Sequence, residues 1–274
     1  MNSIIGLLFA GVLSFQAAAM APVVPTMYFC AEYYGAILED IGEKTYNYAS
    51  KDESESTING GLPTYYNGGD YINTCANVAG AIVLGYYDVS YNDLIPNYTS
   101  AIVFGDRIVY RVQDDNVQNA IDELYDYMDT NSTSAGGTTI SGFKNGLSEY
   151  VNKRGRNISY SSLGGGSSFS ISGLKNSIAA KKPVVLFTSQ YVLTSIYGYE
   201  ESEGTDKFIT YLYSGNHVMV ACGIKEIEYY NSSNGLIEEV TLLRVSTGFA
   251  QVDVSYIFLD DPGIIIDSYS VSIY

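Results

Sequence analysis

The order of the hydrophobic patterns along the chain restricts its possible folds more than any other feature of the sequence. Up to about residue 180, apolar residues recur at helical spacing, as they do at Val117, Ile121 and Leu124. From residue 184 onward the apolar residues form runs of strand length, namely 184–187 (VVLF), 217–224 (HVMVACGI), 238–246 (EEVTLLRVS) and 254–259 (VSYIFL). Because helices precede strands instead of alternating with them, the sequence predicts an α+β domain.

Four segments are predicted as helices. The segment from Asn77 to Tyr86 is apolar on nearly every side, with small residues in between, which is typical of a helix buried at the centre of a domain. Segments 116–128 and 141–151 carry apolar residues one turn apart. Segment 170–180 predicts a short helix that leads through a Lys-Lys-Pro sequence into the first of the strands.

The chain of 274 residues is long enough for one domain of ordinary to large size. Residues 1–21 are apolar from Ile4 onward and end in small residues, which predicts a secretory signal peptide and a secreted or cell-surface location. Because no Lys or Arg precedes Lys44, the alternative is an apolar leader helix that packs on the domain or on a larger assembly. Residues 22–59 are predicted as an N-terminal extension or linker, and residues 60–274 as the main domain.

The charge of the chain excludes one class of partner. It has 30 acidic and 14 basic residues, and its formal net charge is −16. Nucleic-acid binding requires clustered Lys and Arg side chains, and the sequence contains no such cluster. We therefore expect no nucleic-acid partner.

The cysteines exclude a disulfide-stapled scaffold. Cys30, Cys75 and Cys222 are an odd number, so at least one thiol is unpaired or pairs between chains. Cys222 lies inside an apolar strand and is predicted to be part of the core, whereas nothing in the sequence assigns a partner to Cys30. The single histidine and the scattered cysteines lack the close spacing of zinc ligands, so we expect no metal and no cofactor.

Cys75 and His217 form the candidate catalytic pair. Cys75 opens the predicted central helix, where the helix dipole and free backbone N–H groups stabilise a thiolate, and Asn73 or Thr74 can cap that helix. His217 is the only histidine of the chain and stands where a loop enters a predicted strand. An imidazole held there can accept the thiol proton and return it to a leaving amine.

Three segments resemble motifs of bacterial papain-like cysteine peptidases, including those similar to double-glycine leader peptidases. NTCANVAGAIVLGYYD (73–88) resembles the helix that carries the nucleophile, and LKNSIAAKKPVVLF (174–187) resembles the helix, Lys-Pro and strand that precede the family's histidine. GNHVMVACGI (215–224) is similar to the family's Gly-x-His followed by an apolar strand. The three motifs occur in the family's order, and the resemblance covers roughly residues 60–260.

The resemblance implies a papain-like fold, in which an N-terminal helical half carries the nucleophile on a central helix and a C-terminal antiparallel sheet half carries the histidine. It further implies hydrolysis of a peptide or protein substrate in the cleft between the halves, without a metal. Cys75 would form the thioester intermediate, and His217 would act as general base and acid.

Two positions differ from the family pattern. Gly69 stands where the family commonly has the Gln that helps to bind the oxyanion, which leaves the Cys75 backbone N–H with Asn67 or Asn73 as candidate donors. Ser246 and Thr247 stand where the family has the Asn or Asp that orients the imidazole, before a Gly-Phe similar to the family's Gly-Trp. A hydroxyl can accept from the imidazole N–H, although it stabilises an imidazolium less well than a carboxylate.

These differences leave two further functions open. One is a catalytically degenerate papain-like domain that serves as a surface or virion-associated structural or binding module. The other keeps the Cys75–His217 pair but transfers the acyl group to an amine instead of water.

Overall fold

The computed structural model describes residues 38–132, 136–250, 254–260 and 262–274, without the side chains of residues 195–201 and 262. The apolar segment 1–21, Cys30 and the first part of the predicted linker lie outside these residues. Within the described parts of the chain, no helix is long and apolar enough to cross a membrane.

Four α-helices are present in the described residues: α1 (Cys75–Asp88), α2 (Asp115–Tyr127), α3 (Ile140–Lys153) and α4 (Ile171–Ala179). They confirm the four helices predicted from the sequence to within two residues at every end. The caps explain where three of them begin: the side chains of Asp114, Thr139 and Ser170 each accept a backbone N–H from the first turn.

Twelve strands are described. They are β1 (Leu38–Asn47), β2 (Ser50–Thr57), β3 (Ala101–Phe104), β4 (Arg107–Tyr110), β5 (Ile158–Ser162), β6 (Val184–Thr188), β7 (Tyr191–Ser202), β8 (Thr205–Tyr213), β9 (His217–Tyr230), β10 (Leu236–Ser246), β11 (Val254–Phe258) and β12 (Ile265–Ile273). The β3–β4 hairpin stands apart, and the other ten strands form one antiparallel sheet in the order β1-β8-β7-β11-β10-β9-β6-β12-β5, with β2 also paired to β9. The predicted α+β class is confirmed.

The structure differs from the predicted linker at residues 38–57. Strand β1 pairs with β8 along nearly its whole length, and β2 pairs with the second half of β9 from Ser50 to Thr57. The polar sequence KDESEST was expected to be a solvated connection, but β2 is held by backbone hydrogen bonds and leaves most of its side chains exposed. This part of the chain therefore belongs to the sheet.

The main core lies between the sheet and the helices. Helix α1 packs against β9 on one side and against α2 and α3 on the other, and its residues from Ala76 to Gly85 are all buried. The small residues of α1 allow this close approach. A Cβ atom on Gly85, for instance, would lie only 2.5 Å from the ring of Tyr65. The predicted central helix is thus the centre of the molecule, and β9, which begins at His217, lies against it.

A second, smaller core lies where the β1–β2 segment spans from β8 to β9. Phe208, Ile227, Tyr229 and Phe258 are among its buried residues. Next to this core, the carboxylate of Asp206 is fully buried and accepts hydrogen bonds from Lys51, Tyr48 and Tyr229. A buried carboxylate requires such partners. The segment of β1 and β2 is therefore held to the sheet by these bonds to Asp206 as well as by packing.

Candidate active site

Cys75 is the first residue of α1, and its backbone surroundings are those of an open helix N-terminus. Asn73 adopts a left-handed conformation with φ of 60°, which turns the chain sharply before the helix. Thr74 is the N-cap, but its side chain makes no capping hydrogen bond. The first N–H groups of α1 therefore remain available at the position of the thiol.

The Cys75 thiol is half-buried and unpaired, next to the start of β9. Burial, the largest effect, raises the pKa of this thiol above its ordinary value. The backbone N–H of Val218, followed by those of Ala76 and Cys75 itself, lowers the pKa and partly offsets the burial. At neutral pH the sulfur is thus a neutral thiol that faces several hydrogen-bond donors.

His217, the residue before Val218, is the first residue of β9 and only 5% exposed. Its Nε2 lies 2.8 Å from the backbone carbonyl oxygen of Thr247. Because a carbonyl only accepts, Nε2 must carry the proton, and in the neutral ring Nδ1 keeps its lone pair. Burial lowers the pKa of His217 to about 4, and the bond to Thr247 only partly opposes this.

Aromatic rings enclose the imidazole. Phe249 stacks on it with ring centroids 4.6 Å apart and an interplanar angle of 8°. The ring centroids of Tyr213 and Tyr191 lie 5.4 and 6.2 Å from that of His217. These rings keep water from the imidazole, which is the physical reason that its charged form is disfavoured.

Ser246 and Thr247 were predicted as the possible orienting residues, and neither hydroxyl has that position. The Ser246 hydroxyl donates to the carbonyl of Pro63 at 2.8 Å, and the Thr247 hydroxyl oxygen accepts from the backbone N–H of Phe249 at 3.1 Å. The group that holds His217 is the main-chain carbonyl of Thr247. A backbone carbonyl has no sequence signature, so residue types alone could not reveal it.

Asn73 was predicted as an oxyanion donor, with Asn67 as an alternative, and both side-chain amides are engaged elsewhere. The Asn73 Nδ2 donates to the side-chain oxygen of Asn131 at 2.8 Å. The Asn67 Nδ2 donates to the carbonyls of Tyr71 and Gly69. Among the candidates named from the sequence, the backbone N–H of Cys75 therefore remains for that role.

Gly69, the position where the resemblance expects Gln, has a glutamine from another element beside it. A Cβ atom on Gly69 would lie 2.8 Å from Nε2 of Gln118 on α2. That amide donates to Asn67 and Asp122, and its oxygen accepts from the Gly68 N–H. Gln118 thus braces the loop before Cys75, and sequence reasoning missed it because it lies about 50 residues downstream.

The structure places the Thr247 carbonyl at His217 and the backbone N–H of the next residue, Val218, at the Cys75 sulfur, whereas the Ser246 hydroxyl and the two asparagine amides bond to other groups. Tyr191 and Tyr213 were missed, because nothing distinguishes these two from the other tyrosines among the 27 in the sequence.

A pocket of about 360 Å³ is lined by Tyr191, Val192, Leu212 and Phe258, but neither Cys75 nor His217 lines it. Cys222 is buried, as predicted. The described residues contain no group of three or more His, Cys, Asp or Glu that could hold a metal ion.

Comparison of the chain with protein-family models, with curated proteins and with solved structures gave no match.

Proposed function

We propose that this chain is a cysteine peptidase with a papain-like arrangement, in which Cys75 attacks a peptide carbonyl and His217 acts as general base and acid. The observation that carries the proposal is the junction of two elements. The N-terminus of the buried helix α1 meets the first residues of β9, where the Val218 N–H faces the Cys75 sulfur. The carbonyl of Thr247 holds the imidazole of His217, the residue before Val218.

The tautomer of His217 supports a role as a base. Since Nε2–H is bound to the Thr247 carbonyl, the lone pair on Nδ1 is the one that can accept the thiol proton. The same proton then moves from Nδ1 to the leaving amine, and water hydrolyses the thioester with the imidazole as base. A peptide or protein is accordingly the proposed substrate, and neither step needs a metal.

The charges of Cys75 and His217 before the reaction determine when the proton is transferred. With the pKa of the thiol raised by burial and the pKa of His217 lowered to about 4, the pair is neutral at pH 7. Proton transfer would therefore accompany the attack instead of preceding it. The backbone N–H of Cys75 is the proposed oxyanion donor, at the positive end of the α1 dipole.

Two observations favour the alternative, a catalytically degenerate domain that serves as a surface or virion-associated structural or binding module. The amides of Asn67 and Asn73 bond to other groups, and aromatic rings cover the imidazole of His217. Such a domain would keep the papain-like arrangement without peptidase activity.

Peptide hydrolysis tests which of the two functions applies. The purified chain is incubated with a diverse peptide library, and new termini are detected by mass spectrometry. We expect cleavage by the parent chain and by Cys222→Ala, the matched control that removes a buried cysteine remote from His217, and none by Cys75→Ala. Cleavage that survives in Cys75→Ala, or its absence in all three, would contradict the proposal. New amide products with added amines would instead identify acyl transfer.

A further inference from the structure

The carboxylate of Asp206 and the ammonium group of Lys51 form a closely held pair next to the smaller core. Asp206 is fully buried, and the side chain of Lys51 is only 14% exposed. Nζ of Lys51 lies 3.1 Å from Oδ1 and 3.0 Å from Oδ2 of Asp206, so the carboxyl carbon between these two oxygens is also within its reach. An amine and a carboxyl group are the two reactants from which an amide bond forms.

A second carboxylate, that of Glu53, contacts the same lysine. Glu53 and Lys51 are two residues apart on β2, so their side chains lie on the same face of that strand. Oε1 of Glu53 lies 2.7 Å from Nζ of Lys51, and Lys225 on β9 holds the other carboxylate oxygen of Glu53 at 2.9 Å. Glu53 is therefore placed to accept the proton that Lys51 must lose before its nitrogen can attack a carboxyl carbon.

Two tyrosine hydroxyls hold the carboxylate oxygens of Asp206. Tyr48 donates to Oδ1 at 3.0 Å, and Tyr229 donates to Oδ2 at 2.9 Å. Whichever oxygen stays on the carbon during an attack by the amine, a phenol O–H is already bonded to it and can stabilise the negative charge that develops there. The other phenol is bonded to the oxygen that leaves.

The surroundings of the pair favour an uncharged product. The ring centroids of Tyr46 and Tyr48 lie 4.9 and 5.3 Å from that of Tyr229, and Phe208 is buried in the same core. Desolvation of a buried ion pair costs free energy that the attraction between its charges can fail to recover, whereas an amide carries no charge. Reactants that are held in a suitable orientation also react as if each were present at about 10⁵ M or more.

We propose that Lys51 and Asp206 condense to an intramolecular amide bond. Nζ of Lys51 transfers a proton to Glu53, the carboxylate of Asp206 turns its face toward the nitrogen, and the nitrogen attacks the carboxyl carbon. One C–N bond forms and one C–O bond breaks. The two protons that leave the nitrogen pass through Glu53 to the departing oxygen, which is released as water, and Glu53 ends as a carboxylate again. Nothing is oxidised or reduced, and no cofactor takes part.

The amide would join two strands that belong to different parts of the sheet. Among the described residues β2 pairs with β9, whereas β8 pairs with β1 and β7. A covalent bond between Lys51 on β2 and Asp206 on β8 would therefore fix the β1–β2 segment to the sheet. Cys75 and His217 take no part in this reaction, so the modification is independent of the proposed peptidase activity.

The mass of the purified full chain, measured after denaturation, tests this proposal. We expect the parent to lack the mass of one water, and its proteolysis to give a branched peptide in which Lys51 is joined to Asp206. Lys51→Arg keeps the positive charge but cannot form the amide, and Glu53→Gln keeps both reactants but removes the proton acceptor, so both variants should retain that water. Lys175 and Glu226 are the matched control within the same chain: their charged atoms are 2.7 Å apart but more exposed, and they should stay unlinked.

Several results would overturn the proposal. A folded parent chain that retains the water, or one whose proteolysis gives no branched Lys51–Asp206 peptide, would show that the pair stays ionic. The same loss of water in Lys51→Arg would place the reaction elsewhere in the chain. Linkage in Glu53→Gln as complete as in the parent would remove Glu53 from the mechanism. Circular dichroism verifies that the two variants are folded, and the branched peptide of the parent decides the question even if one of them is not.

Discussion

The burial of one histidine makes the stability of this protein sensitive to acid. In the folded chain the pKa of His217 is about 4, below the ordinary value of 6.5. Between these two pH values the unfolded chain binds a proton that the folded chain does not, so stability rises with pH across this window. Because the sequence contains no other histidine, this contribution can be measured cleanly.

We therefore expect the unfolding free energy to fall by about 3 kcal/mol through His217 as the pH is lowered from 6.5 to 4, and to lose nothing through it above 6.5. The measurement is urea unfolding at several pH values for the parent and for His217→Gln. The glutamine side chain does not titrate, so its curve should lack this decrease, while the acidic residues contribute equally to both proteins. Parallel curves between pH 6.5 and 4 would show that the imidazole is not buried in its neutral form.

At the scale of single elements, the close packing of helix α1 requires small residues, even though glycine lowers its helix propensity. Gly80 and Gly85 both lie in its interior, where replacement of Gly by Ala normally stabilises a helix by about 1 kcal/mol. Their surroundings differ. A Cβ on Gly85 would lie 2.5 Å from the rigid ring of Tyr65, whereas one on Gly80 would lie 3.0 Å from the flexible end of Met128.

Gly85→Ala is accordingly expected to destabilise the protein by about 1–3 kcal/mol, through overpacking against Tyr65. Gly80→Ala is the matched control and should change stability much less, because Met128 can move. Chemical denaturation of both variants provides the comparison. Equal effects of the two substitutions would mean that α1 is not packed as closely on Tyr65 as described.

Burial of side chains also determines which elements could be predicted from the sequence. The helices and the strands β6, β9, β10 and β11 were predictable because their burial imposes a pattern on the sequence. Strand β2 was not predictable, since it is held by backbone bonds to β9 and its exposed side chains have the composition of a linker. The β3–β4 hairpin and β12 were missed too, because their apolar residues alternate weakly or lie in exposed positions.

The groups of the candidate site likewise divide into those that could be predicted from the sequence and those that could not. Cys75 and His217 could be found from their residue types and their positions at the start of a helix and of a strand. The Thr247 carbonyl could not, because it belongs to the backbone and has no residue-type signature.

At the scale of the whole molecule, Asp206 connects the β1–β2 segment to the rest of the sheet. It is fully buried and paired with Lys51 at 3.0 Å, in addition to its bonds from Tyr48 and Tyr229. Asp206→Ala removes the acceptor of the Tyr48 and Tyr229 hydroxyls, while Lys51 keeps its ion pair with Glu53 at 2.7 Å, and relative to the chain without the Lys51–Asp206 amide we expect a loss of about 2–3 kcal/mol of stability in thermal or chemical unfolding. The matched control is Asp260→Ala, which removes the more exposed ion pair with Lys44 and should cost about 1 kcal/mol or less. Similar losses in both variants would contradict the buried network.

The central claim is that Cys75 and His217 act as a pair across the junction of α1 and β9. Its most direct test is the second-order rate at which a thiol-directed peptidyl electrophile labels Cys75 at pH 7, in the parent and in His217→Ala, with circular dichroism to verify the fold of both. We expect the parent to react much faster than a free thiol and His217→Ala to lose that advantage. Equal labelling of Cys75 in the two proteins, at the rate of a free thiol, would contradict the claim.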